Sequence, residues 1–190
     1  MTRQLQKNII DLSFKELKQT LALMGEPSFR ATQIHQWLFS HHASSFEEMT
    51  ILSRDLRKKL AETFSIQPLQ LIDRQKCFEE ECENPTEKIL LKLPDNEMIE
   101  SVVIASANRM TACVSSQVGC PLQCPFCATG NMGFRRNLSA GEIAGQVYAL
   151  DNLVSQNNTN DQITNIVFMG MGEPLLNTDN VIEARSKSVV

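Results

Sequence analysis

Three cysteines stand close together near the middle of the chain, at positions 120, 124 and 127. Two prolines and two glycines lie in the same stretch, residues 119–130, and keep it out of regular helix and strand. Thiolates on one turn-rich loop can converge on a single inorganic centre. The spacing Cys120-x-x-x-Cys124-x-x-Cys127 therefore favours an iron–sulfur cluster with three protein ligands, in which one iron stays open to a further ligand.

Zinc is the alternative occupant of such a loop. A structural zinc site needs a fourth ligand, and Cys113, seven residues before the first loop cysteine, is the nearest candidate. Cys113 falls in a predicted strand rather than in the loop, and no histidine follows residue 42. The donor set therefore favours the cluster, and a zinc-binding structural module stays open as a competing interpretation.

Composition narrows the class of protein. The chain has 190 residues, 42% of them hydrophobic, which is enough for one large domain or two small ones with a packed core. No apolar run reaches the roughly 18 residues of a membrane span, and no signal region opens the chain, so we expect a soluble cytoplasmic protein without membrane contact. Six cysteines are too few for a disulfide scaffold. The spacing of Cys77 and Cys82 fits no usual zinc motif, and their roles stay open.

Helical periodicity dominates the first part of the chain, and residues 1–75 are predicted to form a small helical domain. Capping boxes begin at Ser13 and at Ser45. The last predicted helix carries four cations on its polar face: Arg54, Arg57, Lys58 and Lys59. Such a cluster either binds phosphates or is an ordinary solvated face. The net charge of the whole chain is −4, so a nucleic-acid partner would favour this segment.

Extended patterns follow the helices. Residues 76–106 are predicted to form a β-hairpin extension, with strands at 89–93 and 98–105. Residues 107–190 then read as strand Met110–Ser116, the cysteine loop, a helix to about Val154, a buried strand at 163–169 and a helix from about Thr178. Strand, loop, helix and strand in this order are typical of a parallel βαβ unit, which predicts an α/β fold.

The second strand of that unit opens into Gly170-Met171-Gly172-Glu173-Pro174. Backbone without side chains can approach a small ligand there, and Glu173 can meet a cationic amine. The absence of a third glycine argues against a dinucleotide fingerprint. Both this segment and the cysteine loop follow the carboxyl ends of predicted parallel strands, where α/β folds place their chemistry. We therefore expect the two segments to form one site.

Together these motifs resemble those of radical S-adenosylmethionine (SAM) enzymes. The cysteine spacing resembles their cluster motif, and Gly170 to Pro174 resembles the segment that meets the amino end of SAM. The longer strings, from Cys113 to Cys120 and from Gly133 to Leu138, are similar to the RlmN and Cfr family of RNA adenine methyltransferases. Val118 and Glu173-Pro174 resemble the branch that methylates adenine C2 more than the branch that methylates C8.

The resemblance implies a fold, cofactors and partners. The fold would be a small N-terminal helical domain plus a β-hairpin, then the first two β/α units of a radical-SAM partial (β/α)6 barrel. A [4Fe-4S] cluster with one open iron would bind SAM and cleave it to a radical, with electrons from a donor such as flavodoxin or ferredoxin. A methyl group would then pass to C2 of adenine in 23S rRNA and tRNA through a methyl-cysteine intermediate, in a monomeric protein.

The same resemblance implies roles for single residues. Glu100 matches the proton acceptor of the family, and Cys113 matches the cysteine that resolves the protein–RNA adduct. Gly172 and Glu173 match SAM contacts, and the cluster ligands are Cys120, Cys124 and Cys127. Adenine-C8 methylation and a non-catalytic fragment that binds RNA or a cluster stay open as alternatives.

The resemblance also implies a longer protein. A partial barrel has six β/α units, whereas this sequence reaches only the helix of the second, and no residue takes the place of the methyl-bearing cysteine. Charge and serine replace the expected apolar helix face from Arg185 to Val190. We therefore expect a C-terminally truncated form that does not methylate RNA alone but still takes up a cluster, because its three thiolates are local.

Overall fold

The computed structural model describes residues 6–41, 43–66, 69–77, 86–106, 109–157 and 162–187. These residues fall into two compact units, one up to residue 66 and the other from residue 69 onward. None of the helices in the described ranges is both long enough and apolar enough to cross a membrane.

The first unit consists of helices and one small pair of strands. In chain order its elements are β1 (Lys7–Asn8), α1 (Phe14–Leu23), α2 (Phe29–Phe39), α3 (Arg54–Thr63) and β2 (Phe64–Ser65), with β1 parallel to β2. Apolar residues at helical spacing form its core: Leu17, Leu21, Ala31, Ile34, Leu38, Leu56 and Leu60. The predicted capping box at Ser13 is confirmed, since Ser13 and Glu16 exchange side-chain and backbone hydrogen bonds at the start of α1.

The predicted capping box at Ser45 is wrong. A single 3-10 turn, Phe46–Glu48, replaces the expected helix, and the Ser45 side chain accepts no capping hydrogen bond. Instead, the Glu48 carboxylate accepts hydrogen bonds from the hydroxyls of Ser44, at 2.7 Å, and Ser45, at 3.1 Å. The hydrogen bond from the Ser44 hydroxyl is the main cause that lowers the pKa of Glu48.

The second unit is built on a five-stranded sheet. In chain order its elements are β3 (Gln70–Cys77), β4 (Thr86–Lys92), β5 (Met98–Ser106), β6 (Arg109–Cys113), β7 (Gln117–Gly119), α4 (Ala128–Asn131), β8 (Phe134–Asn137), α5 (Ala140–Asn157), β9 (Asn165–Val167) and α6 (Thr178–Lys187). The strand order is β3-β4-β5-β6-β9, antiparallel throughout except for the parallel pair β6 and β9. Because α5 connects that parallel pair, the α/β class is confirmed.

The core of this unit lies between one face of the sheet and α5. The apolar side of α5 contributes Ile143, Val147, Leu150 and Val154, and the sheet contributes Ile89, Leu91, Ile99 and Val103. Alternate residues of β4 and β5 point into this core, as a sheet covered on one face requires. Each large aliphatic side chain buried there contributes about 1.5–3 kcal/mol to folding.

The observed elements differ from the expected ones at three places. Residues 70–77 form β3 in the sheet of the second unit, so the division between the units lies before the expected boundary at residue 75. The strand expected at 163–169 is only three residues long and half-buried. The strand expected from Met110 to Ser116 ends at Cys113 as β6, and residues 114–116 connect it to β7, which lies beyond the expected strand. Two cysteines have no predicted role: Cys77, which ends β3, and Cys82, which lies outside the described residues.

Candidate active site

The three cysteines lie at the tip of a β-hairpin. Strands β7 and β8 pair antiparallel, with a bulge between Val118 and Gly119, and they flank residues 120–133, which we call the cysteine loop. Gly119 has a φ of +74°, and a Cβ there would collide with the carbonyl oxygen of Gly133. That same oxygen accepts a hydrogen bond from the N–H of Cys120 at 3.2 Å. Glycine at position 119 therefore lets the loop close.

Within the loop the cysteines differ in exposure. Cys120 is buried, Cys124 and Cys127 are half-buried, and all are free thiols. The N–H of Gly130 is the main cause that lowers the pKa of Cys127, aided by the N–H and hydroxyl of Thr129. Across the described part of the chain, no three His, Cys, Asp or Glu side chains are already gathered to hold a metal ion. The fold thus brings the thiols onto one loop without gathering their sulfur atoms.

The predicted Gly-rich segment runs alongside the connection that leads into the cysteine loop. We call these two stretches, residues 114–117 and 170–173, the seam. The N–H of Gly170 donates to the carbonyl of Val114 at 3.1 Å, which continues the pairing of β6 and β9 past the end of the sheet. The Gly-rich segment therefore lies beside the stretch that leads into the cysteine loop, and one site formed by the segment and the loop itself stays a prediction.

Both glycines of the seam are required by close backbone approach. Gly172 has a φ of +95°, and a Cβ there would lie 2.5 Å from Cβ of Gln117. A Cβ at Gly170 would lie 2.7 Å from Oγ of Ser115. Because real Cβ atoms do not approach other atoms so closely, any side chain at either position would force the two stretches apart. The glycines thus have a structural reason that is independent of any ligand.

Glu173 is attached to the base of the cysteine hairpin. Its N–H donates to Oε1 of Gln117 at 2.9 Å, and Nε2 of Gln117 donates to Oδ1 of Asn137 on β8 at 2.8 Å. The half-buried carboxylate of Glu173 accepts a hydrogen bond from the N–H of Leu175 at 3.0 Å. Gln117 therefore fixes the backbone of Glu173, whose carboxylate is a predicted SAM contact, relative to the strands that carry the three cysteines.

Glu100 borders the seam through its backbone. Its carbonyl accepts a hydrogen bond from the Ser115 hydroxyl at 2.6 Å, and its N–H donates to Sδ of Met171 at 3.3 Å. Its carboxylate is half-exposed and pairs with Nζ of Lys88 on the neighbouring strand at 3.0 Å. The residue predicted as proton acceptor is thus held directly against the Gly-rich segment.

Cys113 ends β6, immediately before the seam. It is paired across the sheet with Val102 on β5 and Val167 on β9. Burial is the main cause that raises the pKa of its thiol, and a hydrogen bond from the N–H of Met169 opposes it. The Cys113 side chain is therefore a neutral thiol at neutral pH.

Sequence reasoning missed a buried glutamine that organises the seam. Gln146, on α5, is fully buried, and its Oε1 accepts hydrogen bonds from the Ser101 hydroxyl at 2.9 Å and from the Ser115 N–H at 2.7 Å. Its Nε2 donates to the Ser115 carbonyl at 2.9 Å. The sequence did indicate such a role. Gln146 stands three residues after Ile143, on the apolar side of its helix, and a polar side chain there needs buried hydrogen-bond partners.

A buried asparagine performs a similar task at the far end of the seam. Nδ2 of Asn177 donates to the carbonyl of Ser116 at 2.8 Å and to that of Leu138 at 2.9 Å. On the same side, Arg136 of β8 makes a bidentate ion pair with Glu142 and reaches Asp95 in the β4–β5 turn. These contacts attach the cysteine hairpin to the sheet and to α5.

In its α/β unit, cysteine hairpin and Gly-rich seam, the chain is similar to a radical SAM methyltransferase of known structure. The crystal structure of a radical SAM methyltransferase from Sphaerobacter thermophilus matches with a TM-score of 0.82 at 37% sequence identity. The match covers 94% of this chain and 51% of that chain.

The sequence comparisons then give the particular family. Residues 7–66 match the family model of the ribosomal RNA large subunit methyltransferase N-terminal domain. The probable dual-specificity RNA methyltransferase RlmN of Pelodictyon phaeoclathratiforme is 72% identical over 94% of this chain, and that of Chlorobium phaeovibrioides is 57% identical over 97%. Over nearly its whole length the chain is similar to proteins named RlmN. It spans about half the length of the curated relatives it matches, covering 50% and 49% of these two.

Proposed function

We propose that this chain carries the cluster-binding and SAM-binding part of an enzyme that methylates C2 of adenine in 23S rRNA and tRNA by a radical mechanism. Its relatives are named as probable RNA methyltransferases, which supports methyl transfer to RNA. The observation that carries the proposal is the hydrogen bonding from Glu173 through Gln117 to the cysteine hairpin, because it joins a ligand-contact segment to three thiols. In fold terms, the βαβ unit would be the start of a partial (β/α)6 barrel.

The chemistry of the donor set fits an iron–sulfur cluster. Three free thiols on one loop, one of them with a lowered pKa, are suitable ligands for iron, and Cys120, Cys124 and Cys127 would hold the cluster. When bound, the cluster would pass one electron from a donor such as flavodoxin or ferredoxin to SAM. The backbone at Gly172 and the carboxylate of Glu173 would receive the amino end of SAM.

Two residues beside the seam would handle the later proton and thiol steps. Glu100 would accept a proton from the adenine, giving up its ion pair with Lys88 as it does so. Cys113 would resolve the adduct after its buried thiol loses a proton: its thiolate would form an S–S bond with the methyl-bearing cysteine as the bond from that sulfur to the transferred carbon breaks, and the electron pair of the broken bond would stay with the base and take up a proton. Both positions are adjacent to the seam in the sheet, on β5 and at the end of β6.

Iron uptake tests the cluster directly. We expect the chain, reconstituted without oxygen from iron and sulfide, to bind about four iron atoms and to gain thiolate-to-iron absorbance in the visible range. Cys120→Ala, Cys124→Ala and Cys127→Ala should each lose most of that iron, because each removes one of only three ligands. Cys113→Ala should retain it.

Metal analysis of the same four variants separates the cluster from zinc. A zinc site that uses Cys113 as its fourth ligand would bind zinc without sulfide and would lose it in Cys113→Ala. That result would overturn the cluster assignment. Analysis of the methylated base in RNA treated with a chain restored to the full length of the relatives distinguishes C2 from the alternative, C8.

RNA contact is the second part of the proposal. An open groove of about 410 Å³ on the first unit is lined by Glu47, Arg54, Arg57, Lys58, Ala61 and Glu62. Arg57 is anchored by a hydrogen bond from Nη1 to the Glu47 carbonyl at 2.7 Å, and the remaining cations are exposed. The groove combines three cations with two carboxylates, so phosphates rather than bases are the groups it can bind.

Salt dependence of RNA binding tests this groove. The double variant Arg54→Gln, Lys58→Gln should weaken binding of an RNA hairpin and lower the slope of log K against log salt by about 1–2, since two phosphate contacts are lost. Lys15→Gln, which removes an exposed cation from α1, is the matched control. If salt-dependent RNA binding survives in Cys120→Ala and the unmodified chain takes up no iron, the non-catalytic RNA-binding alternative is favoured.

A further inference from the structure

Four hydrogen bonds hold Ser115 in the seam. Its side chain is fully buried, and its hydroxyl donates to the Glu100 carbonyl at 2.6 Å while accepting from the Met171 N–H at 2.8 Å. Its own N–H and carbonyl are both bound by the side-chain amide of Gln146, at 2.7 and 2.9 Å. Ser115 therefore joins the strand of Glu100, the Gly-rich segment and α5.

The space around this hydroxyl is equally restricted. A Cβ at Gly170 would come within 2.7 Å of Ser115 Oγ, so the hydroxyl fits only opposite a glycine. A second link, from the Glu100 N–H to the Met171 sulfur at 3.3 Å, runs parallel to the one through Ser115. Because both links end on the same two residues, Glu100 and Met171 have one fixed spatial relation.

We propose that Ser115, held by Gln146, is a positioning residue that sets the SAM-binding segment in register with Glu100. This inference rests on the proposed function, since it assumes that SAM binds at Gly172 and Glu173. Its hydroxyl is bound to the Met171 N–H and the Glu100 carbonyl, and would act on the site through these two groups. Loss of the hydroxyl would let the Gly-rich segment shift relative to the sheet while the cysteine loop keeps its ligands.

The neighbouring residue supplies a matched control. Ser116 is also buried, with 2% of its surface exposed, and its hydroxyl has no hydrogen-bond partner among the described residues. Ser116→Ala therefore removes a buried hydroxyl from the same seam without removing a link. Any effect of Ser115→Ala that Ser116→Ala shares belongs to the loss of a buried hydroxyl in general.

Amide hydrogen exchange tests the positioning role without any cofactor. In the cluster-free chain, Ser115→Ala should raise exchange at the Met171 amide by about tenfold or more, because that amide loses its acceptor. Ser116→Ala should leave it unchanged. Exchange at Met171 within twofold of the unmodified chain in Ser115→Ala would overturn the inference, whatever SAM binding shows.

SAM affinity in the reconstituted chain tests the consequence for the site. We expect Ser115→Ala to keep its iron content, to raise the dissociation constant for SAM about five- to tenfold, and to reduce the change that SAM produces in the electron paramagnetic resonance spectrum of the reduced cluster. Loss of iron together with SAM affinity would show a merely structural residue and overturn the inference. If the unmodified chain binds iron but no SAM, the proposed function fails, and the exchange result still decides the role of Ser115.

Discussion

The cysteine loop and the seam adjoin in the chain but are built in opposite ways. The loop exposes large apolar side chains, with Phe126 90% and Met132 67% exposed, and its closure depends on turns and glycines. The seam residues from 114 to 117 are all buried, and buried side-chain amides bind their backbone. Buried contacts therefore fix the backbone of the seam, whereas turns and glycines shape the cysteine loop.

The largest expected effect comes from removing the amide that holds the seam. Gln146→Leu should lower the free energy of unfolding by about 3–5 kcal/mol, because it leaves the Ser101 hydroxyl and both backbone groups of Ser115 buried without partners. Urea denaturation followed by circular dichroism measures this loss. Gln156→Leu, at an exposed position on the same helix, should change stability by less than about 0.5 kcal/mol.

A small effect of Gln146→Leu would remove the distinction between the two regions. If the loss is below about 1 kcal/mol, the buried amide is not what fixes the seam, and the seam would be no more constrained than the loop. Trp37 is the only tryptophan and lies in the first unit. Its fluorescence shows whether a transition belongs to that unit instead.

A pair of glycines compares the two regions at equal backbone conformation. Gly172 of the seam and Gly133 of the cysteine loop both have positive φ, +95° and +76°, but only at Gly172 would a Cβ meet neighbouring atoms. Gly133→Ala should cost about 1 kcal/mol for the left-handed conformation alone. Gly172→Ala should cost about 3 kcal/mol, because displacement of Gln117 is added. Equal losses of stability, measured by urea denaturation, would contradict the crowding inferred for the seam.

Local patterns in the sequence were sufficient to predict some of the elements. The box at Ser13 predicted α1, and the extended patterns at 89–93 and 98–105 predicted the hairpin, whereas β3 fell within the expected helical domain. The capping box at Ser45 failed because Glu48 binds the Ser44 hydroxyl and N–H as well, one residue earlier than the pattern assumes. Short polar side chains compete for the same carboxylate, and spacing alone does not decide between them.

The site was predictable only in part, because spacing specifies residues and not their partners. The Gly-rich strand end does lie beside residues 114–117, which lead into the cysteine loop, and a shared site of loop and segment stays a prediction. The end of β6 at Cys113 and the role of Gln146 were not predicted. Gln146 binds the backbone of Ser115, about 30 residues earlier in the sequence. Such long-range hydrogen bonds leave only a weak local signal, here one polar residue on an apolar helix face.

Thiol reactivity gives the smallest predicted difference between the two regions. Burial raises the pKa of Cys113 beside the seam, so less of its thiol is ionised at a given pH, and only the thiolate is alkylated. In the cluster-free chain at pH 8, Cys113 should react with iodoacetamide at least about tenfold more slowly than Cys124 of the loop, as measured by peptide mass spectrometry. In urea the two rates should become equal.

The pH dependence of that reaction follows from the sign of the shift. Because its pKa is raised, the Cys113 thiol is more stable in its neutral form in the folded state than in the unfolded state. The neutral thiol therefore contributes to the free energy of unfolding below the ordinary thiol pKa, and this contribution declines as the pH rises through the raised pKa. The rate at Cys113 should therefore keep rising with pH after the rate at an unfolded thiol has levelled off. Equal rates at Cys113 and Cys124 in the folded chain would show that the end of β6 is as open as the loop, and the contrast between the two regions would then begin only after Cys113.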